Sequence, residues 1–284
     1  MTPEAPQSDD EVGIDPAIRA AYRPPESGAG LGLRDDFIMA LRFFSRLPTG
    51  SSPHARPDLG RIAMALPLAA LAMGLGPMLL LAGAGLVGLP GFFAAALAVG
   101  AMVAVGGGMM EDALADAADG LFGGASAERR LEIFKDSRHG TYGVATLCLF
   151  LVLRVAALGS LVPTHPLAAA GVWLAANIAG RSGALWLAVA LPPARRDGAA
   201  ATAGPLPAPK FMLGAALAAL LVFILGAPFA GLVGVGLALA AVALVTLGWT
   251  TLCRRLVGGQ TGDLVGAAAG LGEIAALSVL LVFT

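Results

Sequence analysis

The sequence predicts an all-α fold: a polytopic integral membrane helix bundle of about seven transmembrane helices, with an amphipathic surface helix near its N-terminal side. Only 13% of the 284 residues are charged while 57% are hydrophobic, whereas a soluble domain carries about a quarter charged residues. Apolar runs of the ~20 residues that a helix needs to cross a bilayer recur along the chain. The Lys and Arg residues between these runs fall in alternate loops.

The chain divides into a tail and one membrane domain. Residues 1–30 are acidic, rich in Pro, Gly and Ser and without apolar periodicity, so we expect a disordered tail and no signal peptide. Residues 31–284 form the membrane-embedded catalytic domain. Its first segment, RDDFIMALRFFSRLPTG (34–50), carries apolar residues at helical spacing. Because it is too short and too charged to cross the bilayer, we expect a helix on the membrane surface.

The loop charges predict which side of the membrane each loop faces. The loops that contain Lys or Arg alternate with loops that have neither, near 85–90, 163–166 and 226–229. The positive-inside rule therefore places the N-terminus and the acidic loop after the second span in the cytoplasm. The predicted spans lie near 62–84, 91–110, 142–162, 167–191, 211–227, 229–252 and 265–283.

An acidic run follows the second span and predicts a metal site. Glu111, Asp112, Asp116 and Asp119 lie close together in an otherwise apolar region. In a helix, the spacing of four and then three residues puts the three aspartates on one face. Like charges placed this way destabilise a bare helix, and clustered carboxylate oxygens suit Mg²⁺. We therefore expect all four residues to hold Mg²⁺.

A cationic segment follows at once, and the two together indicate phosphoryl transfer. Arg129, Arg130, Lys135 and Arg138 lie within ten residues of one another. Carboxylates with Mg²⁺ opposite a cluster of cations are typical of enzymes that transfer phosphoryl groups. A transporter is the alternative, although transporters place their ionisable groups nearer the bilayer midplane. A net charge of −1 argues against nucleic acid as a partner.

Other candidate motifs carry less chemistry. The glycine-rich stretches at 106–108 and 258–262 lack the strand and lysine of a nucleotide-binding loop. Cys148 and Cys253 show no partner spacing, so we expect both to be buried thiols. The three histidines, His54, His139 and His165, show no metal-ligand spacing among themselves.

Four ordered blocks of the chain closely resemble the cobalamin synthase family, the adenosylcobinamide-GDP ribazoletransferases. The blocks are FIMALRFFSRLPTG, EDALADAADGLFGG with ERRLEIFKDSRHGTYG, PPARRDG, and GGQTGDLVGAAAGLGEIAAL, and the resemblance extends over roughly residues 35–284. Ala113 stands where the family pattern usually has glycine, and Met110 where histidine is common. Neither departure changes a carboxylate of the acidic run.

The resemblance implies a Mg²⁺-dependent enzyme in the bacterial cytoplasmic (inner) membrane, with its active site facing the cytoplasm. It implies that adenosylcobinamide-GDP and α-ribazole, or its 5′-phosphate, are joined and GMP is released. Membrane lipid is the other expected partner, and a homo-oligomer is left open. The catalytic residues expected on this basis are Asp112, Asp116, Asp119, Lys135 and Arg138. The expected substrate-binding residues are Arg46, Arg129, Arg195 and Asp263.

Two alternatives remain open at this point. A CDP-alcohol phosphatidyltransferase also uses spaced aspartates and Mg²⁺, but its pattern opens with Asp-Gly and Ala-Arg, whereas here Asp119-Gly120 closes the acidic run. A transporter of corrinoids or their precursors is the second.

Three charged residues fall in the middle of predicted spans. Arg154, Arg181 and Glu273 each lie ten to twelve residues from the cytoplasmic end of their span, which corresponds to roughly 15–18 Å of depth. A lone charge there costs at least ~2.5 kcal/mol, so such residues normally pair or line a wet cavity. We expect Glu273, the one carboxylate at that depth, to pair with one of the two arginines.

Overall fold

The structure is a computed structural model that describes residues 32–50, 57–136, 138–195 and 203–284. These residues form helices and no strand of a sheet. The predicted tail at 1–30 lies outside them. The helices are α1 (Leu33–Phe44), α2 (Leu59–Leu86), α3 (Gly91–Gly106), α4 (Met109–Gly123), α5 (Ala127–Ile133), α6 (Thr141–Leu161), α7 (Pro166–Ala184), α8 (Trp186–Ala190), α9 (Ala208–Val257) and α10 (Gly262–Phe283).

Helix α1 is the predicted amphipathic helix. Asp35 in its first turn accepts a hydrogen bond from the Gly32 amide at 3.0 Å, where a carboxylate complements the helix dipole. Its buried face, around Met39 and Ala40, packs against Ile62 of α2. The amphipathic helix is therefore confirmed, and its place on a membrane surface stays a prediction.

Helix α7 is the centre of the bundle. It packs against α2, α9 and α10, and Trp173 in its middle is fully buried. Small residues allow this close packing: a β-carbon added at Gly180 would lie 2.6 Å from the amide nitrogen of Glu273 on α10. Helix α6 lies at the edge instead, so its Cys148 is exposed rather than buried, whereas Cys253 on α9 is buried as expected.

Helix α9 folds back on itself at Gly231. As one straight helix its 50 residues would extend about 75 Å. However, a β-carbon at Gly226 would lie 3.0 Å from Val235 Cγ2, and Ala215 and Ala243 line the same cavity. Gly231 makes the reversal possible with φ 68° and ψ 171°, a conformation that essentially only glycine adopts. The two predicted spans at 211–227 and 229–252 are thus the limbs of one hairpin.

A second break separates α3 from the acidic helix. Gly107 and Gly108 have positive φ angles of 64° and 68°, and α4 leaves the direction of α3 by 86°. The prediction of one span at 91–110 is therefore wrong at its end, because the chain turns at the glycine-rich stretch 106–108 before the apolar run ends. Helix α4 alone is not among the helices that are long and apolar enough to cross a membrane.

Within the described residues, five helices are long and apolar enough to cross a membrane, or six if α3 and α4 count together. The count treats α9 as one helix. The integral membrane helix bundle is therefore confirmed, whereas the number seven is not.

The two kinds of loop lie at opposite ends of the bundle. At the end without Lys or Arg, Gly91 approaches the Gly159 carbonyl and Pro163, and Gly85 approaches Pro166. At the other end, Arg130 donates to the Leu256 carbonyl and Arg254 donates to the Ala190 carbonyl. The loops with and without Lys or Arg thus lie at two separate ends of the molecule. We call the end that contains Arg130 and Arg254 the cationic end.

Candidate active site

The acidic helix α4 presents its carboxylates in two directions. Asp112 is exposed and Asp116 is half-buried, whereas Glu111 and Asp119 are buried. The predicted single face of three aspartates is therefore divided between a site open to solvent and contacts inside the protein.

Asp112 and Asp116 meet His139 from the segment before α6. His139 Nε2 lies 3.7 Å from Asp112 Oδ1, and His139 Nδ1 lies 3.6 Å from Asp116 Oδ1. The three side chains each offer a ligand atom, and these atoms lie within 4.8 Å of one another. Two carboxylates and an imidazole are a donor set for a divalent cation. Sequence reasoning missed His139, because its partners lie more than twenty residues away along the chain.

The site is rich in negative charge. Burial, together with the charges of Asp112 and Asp263, raises the pKa of Asp116 to about 6, although His139 opposes the shift. A carboxyl group whose neighbours resist its ionisation is a position where a bound cation relieves repulsion.

Asp119 holds the segment that carries His139. Its carboxylate accepts hydrogen bonds from the Gly140 amide at 2.6 Å and the Gly143 amide at 2.9 Å. These amides open α6, where unpaired N–H groups and the helix dipole favour a carboxylate. Asp119 thus fixes the start of α6 next to α4, and its predicted role as a direct metal ligand stays a prediction.

Glu111 points into the bundle and joins a buried ion-pair network. Arg154 donates one hydrogen bond to Glu111, at 2.9 Å, and two to Glu273, at 2.8 and 2.7 Å. Trp173 and Asn177 also donate to Glu273. The predicted pairing of Glu273 with a buried arginine is confirmed. The expectation of a single carboxylate at that depth is wrong, because the turn before α4 directs Glu111 inward.

Arg129 and Arg138 form ion pairs with neighbours in their own segment rather than with the carboxylates of α4. Arg129 pairs with Glu132 at 2.8 Å, and both are about two-thirds exposed. Arg138 pairs with Asp136 at 2.7 Å and lowers the pKa of that carboxyl group to about 2. Lys135 is exposed on the same segment.

Two predicted residues do reach the site. The backbone of residues 192–194 pairs with Gln260 through bonds of 2.8 and 2.9 Å. This contact brings Arg195 Nη2 to 3.8 Å from Asp263 Oδ2, so the third and fourth sequence blocks share one site. Arg46 contacts Gly107, beside the break that leads into α4.

A cavity of about 280 Å³ lies beside the carboxylates. Asp112, Asp263, Gln260 and the buried Arg181 contribute its polar lining, and its walls include Phe43, Phe44, Leu59, Met110, Ala184 and Leu185. An apolar cavity with a few convergent polar groups is the usual form of a small-molecule site.

The chain is similar to a family of known proteins over almost its whole described length. The family model described as Cobalamin-5-phosphate synthase matches residues 36–281. Relatives named adenosylcobinamide-GDP ribazoletransferase include those of Azorhizobium caulinodans, Xanthobacter autotrophicus and Sinorhizobium medicae. The Azorhizobium protein is 45% identical over 87% of this chain and 96% of its own length. The Xanthobacter protein is 42% identical over 88% of this chain and 97% of its own length. The Sinorhizobium protein is 40% identical over 87% of this chain and 95% of its own length. No solved structure gives a significant match.

The matched region contains the acidic helix, the segment with His139 and the entry to α10. The chain therefore belongs to the cobalamin-5-phosphate synthase family, as an integral membrane transferase of cobalamin biosynthesis.

Proposed function

We propose that this protein joins adenosylcobinamide-GDP to α-ribazole, or to its 5′-phosphate, and releases GMP. The observation that carries the proposal is the cluster of Asp112, Asp116 and His139 at the mouth of a cavity, in a chain 45% identical to a named ribazoletransferase. The proposed site faces the cytoplasm of the bacterial inner membrane, because the loops at the cationic end carry the Lys and Arg residues.

Mg²⁺ is the proposed cofactor, and the two carboxylates of the cluster are the hard oxygen ligands that suit it. Asp112, Asp116 and His139 would hold the ion, with oxygen ligands from water and phosphate completing its shell. When bound, Mg²⁺ neutralises charge on the oxygens of a diphosphate group. Glu111 and Asp119 support this set indirectly in the proposal, because Arg154 binds Oε1 of Glu111 and the α6 amides bind both oxygens of Asp119.

The reaction forms one P–O bond and breaks another. A hydroxyl oxygen of the ribazole attacks the phosphorus attached to the corrinoid arm, and the bond from that phosphorus to the bridging oxygen breaks, so that oxygen leaves with GMP. We assign acceptance of the hydroxyl proton to Asp263, which lines the cavity outside the proposed metal-ligand set. Arg195, 3.8 Å from Asp263, holds that carboxylate and offers its charge to a departing phosphate.

The test is product formation by the purified protein. With adenosylcobinamide-GDP, Mg²⁺ and α-ribazole or its phosphate, we expect GMP and a cobalamin product in equal amounts. Asp112→Asn should abolish both, whereas Glu132→Gln, in an exposed ion pair, serves as the matched control. Release of CMP from a CDP-alcohol substrate, or uptake of corrinoid into liposomes without chemical change, would contradict the proposal.

A further inference from the structure

Arg181 is a buried cation whose side chain is not used within the protein. It lies on α7 and is only 7% exposed. Among the described residues, no hydrogen bond or ion pair involves its side chain, and its Nε is buried without a partner. A guanidinium group has five N–H donors, and leaving such donors unsatisfied inside a protein is costly.

The nearby buried carboxylates form their hydrogen bonds with Arg154 rather than with Arg181. Glu273 accepts four hydrogen bonds, two from Arg154 and one each from Trp173 and Asn177. Glu111 accepts a fifth bond of this network from Arg154. The two glutamates and two arginines sum to zero charge, which allows Arg181 to remain charged at this depth. The N–H donors of Arg181 are therefore available to a bound ligand.

Arg181 is part of the wall of the cavity in the candidate active site. Arg181 lines that cavity together with Asp112, Gln260 and Asp263. Because Arg181 is the one Arg or Lys among its lining residues, the cavity pairs a single cation with two carboxylates. The planar fork of a guanidinium matches two oxygens of a phosphate, and in a water-poor setting that bidentate contact is strong.

We propose that Arg181 binds a phosphate oxygen of the diphosphate group in the nucleotide-activated substrate, opposite the cation held by Asp112 and Asp116. This inference rests on the proposed function, since it assigns Arg181 to that substrate. Arg181 is then a substrate-binding residue that the four sequence blocks do not contain, and it fixes how deeply the diphosphate enters the protein.

A purely structural role predicts a different response to mutation. If Arg181 stabilised the fold through its hydrogen-bond donors, Arg181→Lys would lower the thermal unfolding midpoint of the ligand-free protein. If its donors wait for a ligand, Lys keeps the positive charge that balances the two glutamates, and the midpoint stays the same.

The experiment measures the binding of inorganic pyrophosphate in the presence of Mg²⁺, by titration calorimetry on the full chain in detergent. We expect Arg181→Met to weaken binding about 10- to 100-fold, as the loss of a charge-assisted hydrogen-bonded pair implies. Arg181→Lys keeps the charge but loses the planar fork of the guanidinium, so its affinity for pyrophosphate should lie between those of the wild type and Arg181→Met. Arg255→Gln, on the exposed surface of the cationic end, should bind like the wild type.

Two results would overturn the inference. One is pyrophosphate affinity within twofold of wild type in Arg181→Met. The other is a phospholipid that copurifies with the wild type at about one per chain and is lost from Arg181→Met, because a lipid phosphate would then occupy the guanidinium. Arg181-dependent pyrophosphate binding without GMP release from adenosylcobinamide-GDP would refute the proposed function alone. GMP release with an Arg181-independent affinity would refute this inference alone.

Discussion

Replacing Glu273 with Gln removes one negative charge from the interior of the bundle and changes little else in its shape. Glu273 is 1% exposed, and its two oxygens accept bonds from Arg154, Trp173 and Asn177. The amide nitrogen of Gln cannot accept, so on whichever side it lies, two of the four donors lose their acceptor. Arg154 keeps only Glu111 as a charged partner.

Breaking a buried ion pair from one side costs about 3–5 kcal/mol. We expect the lower end, about 3 kcal/mol of unfolding free energy, because Glu111 still contacts Arg154. The measurement is unfolding by SDS in mixed micelles, followed by helix content. The matched control is Glu132→Gln, whose pair with Arg129 is about two-thirds exposed on both sides and should change stability by less than about 1 kcal/mol.

Removing the charge of Arg154 as well tests whether the lost stability comes from the broken ion pair or from altered packing around Glu273. Arg154→Met combined with Glu273→Gln should recover part of the stability, because the two buried charges that remain, Glu111 and Arg181, still sum to zero. A Glu273→Gln protein within about 1 kcal/mol of wild type, or no recovery in the double variant, would refute the reasoning.

Three further predictions concern the site and its sidedness. Asp112→Asn and Asp116→Asn should each lower turnover by about two orders of magnitude or more, as loss of a metal ligand implies, with unchanged helix content; near-normal rates at saturating Mg²⁺ in both would contradict the metal site. Mn²⁺ binding, measured by electron paramagnetic resonance, should weaken below about pH 6, because the Asp116 pKa of about 6 means that its carboxyl group takes up a proton there. If the affinity for Mn²⁺ does not change between pH 7 and pH 5, Asp116 is not a ligand. In a variant without native cysteines, Ala125→Cys should react with impermeant reagents from the cytoplasmic side and Thr164→Cys from the other, since both positions are exposed at opposite ends; labelling from one side would refute the orientation.

The sequence predicted the features that depend on composition and charge. Low charge and apolar runs indicated the helix bundle, and loop cations indicated its two ends. The scarcity of charge inside the spans predicted that Glu273 pairs with Arg154 or Arg181, because an isolated charge in that setting is too costly to leave unpaired.

The features it missed depend on backbone turns and on contacts distant in sequence. Helical spacing showed that Asp112, Asp116 and Asp119 share a face, but the turn at Gly107 and Gly108 decides how that face is oriented. His139 joins the site only because Asp119 binds the amides at the start of α6. Neither contact has a periodic signal in the chain.

The buried network of Glu111, Arg154, Arg181 and Glu273 also has a consequence for how the protein enters the membrane. These residues occur in the chain in the order negative, positive, positive, negative. As synthesis proceeds from the N-terminus, the running charge of this group is −1, 0, +1 and 0, so it never exceeds one unit. Arg154 enters the bilayer after Glu111 is already available, and Glu273, on the last helix, arrives when Arg154 and Arg181 are in place. Glu273, which neutralises the remaining positive charge, is thus the last of the four residues to be delivered, when both arginines are already in place.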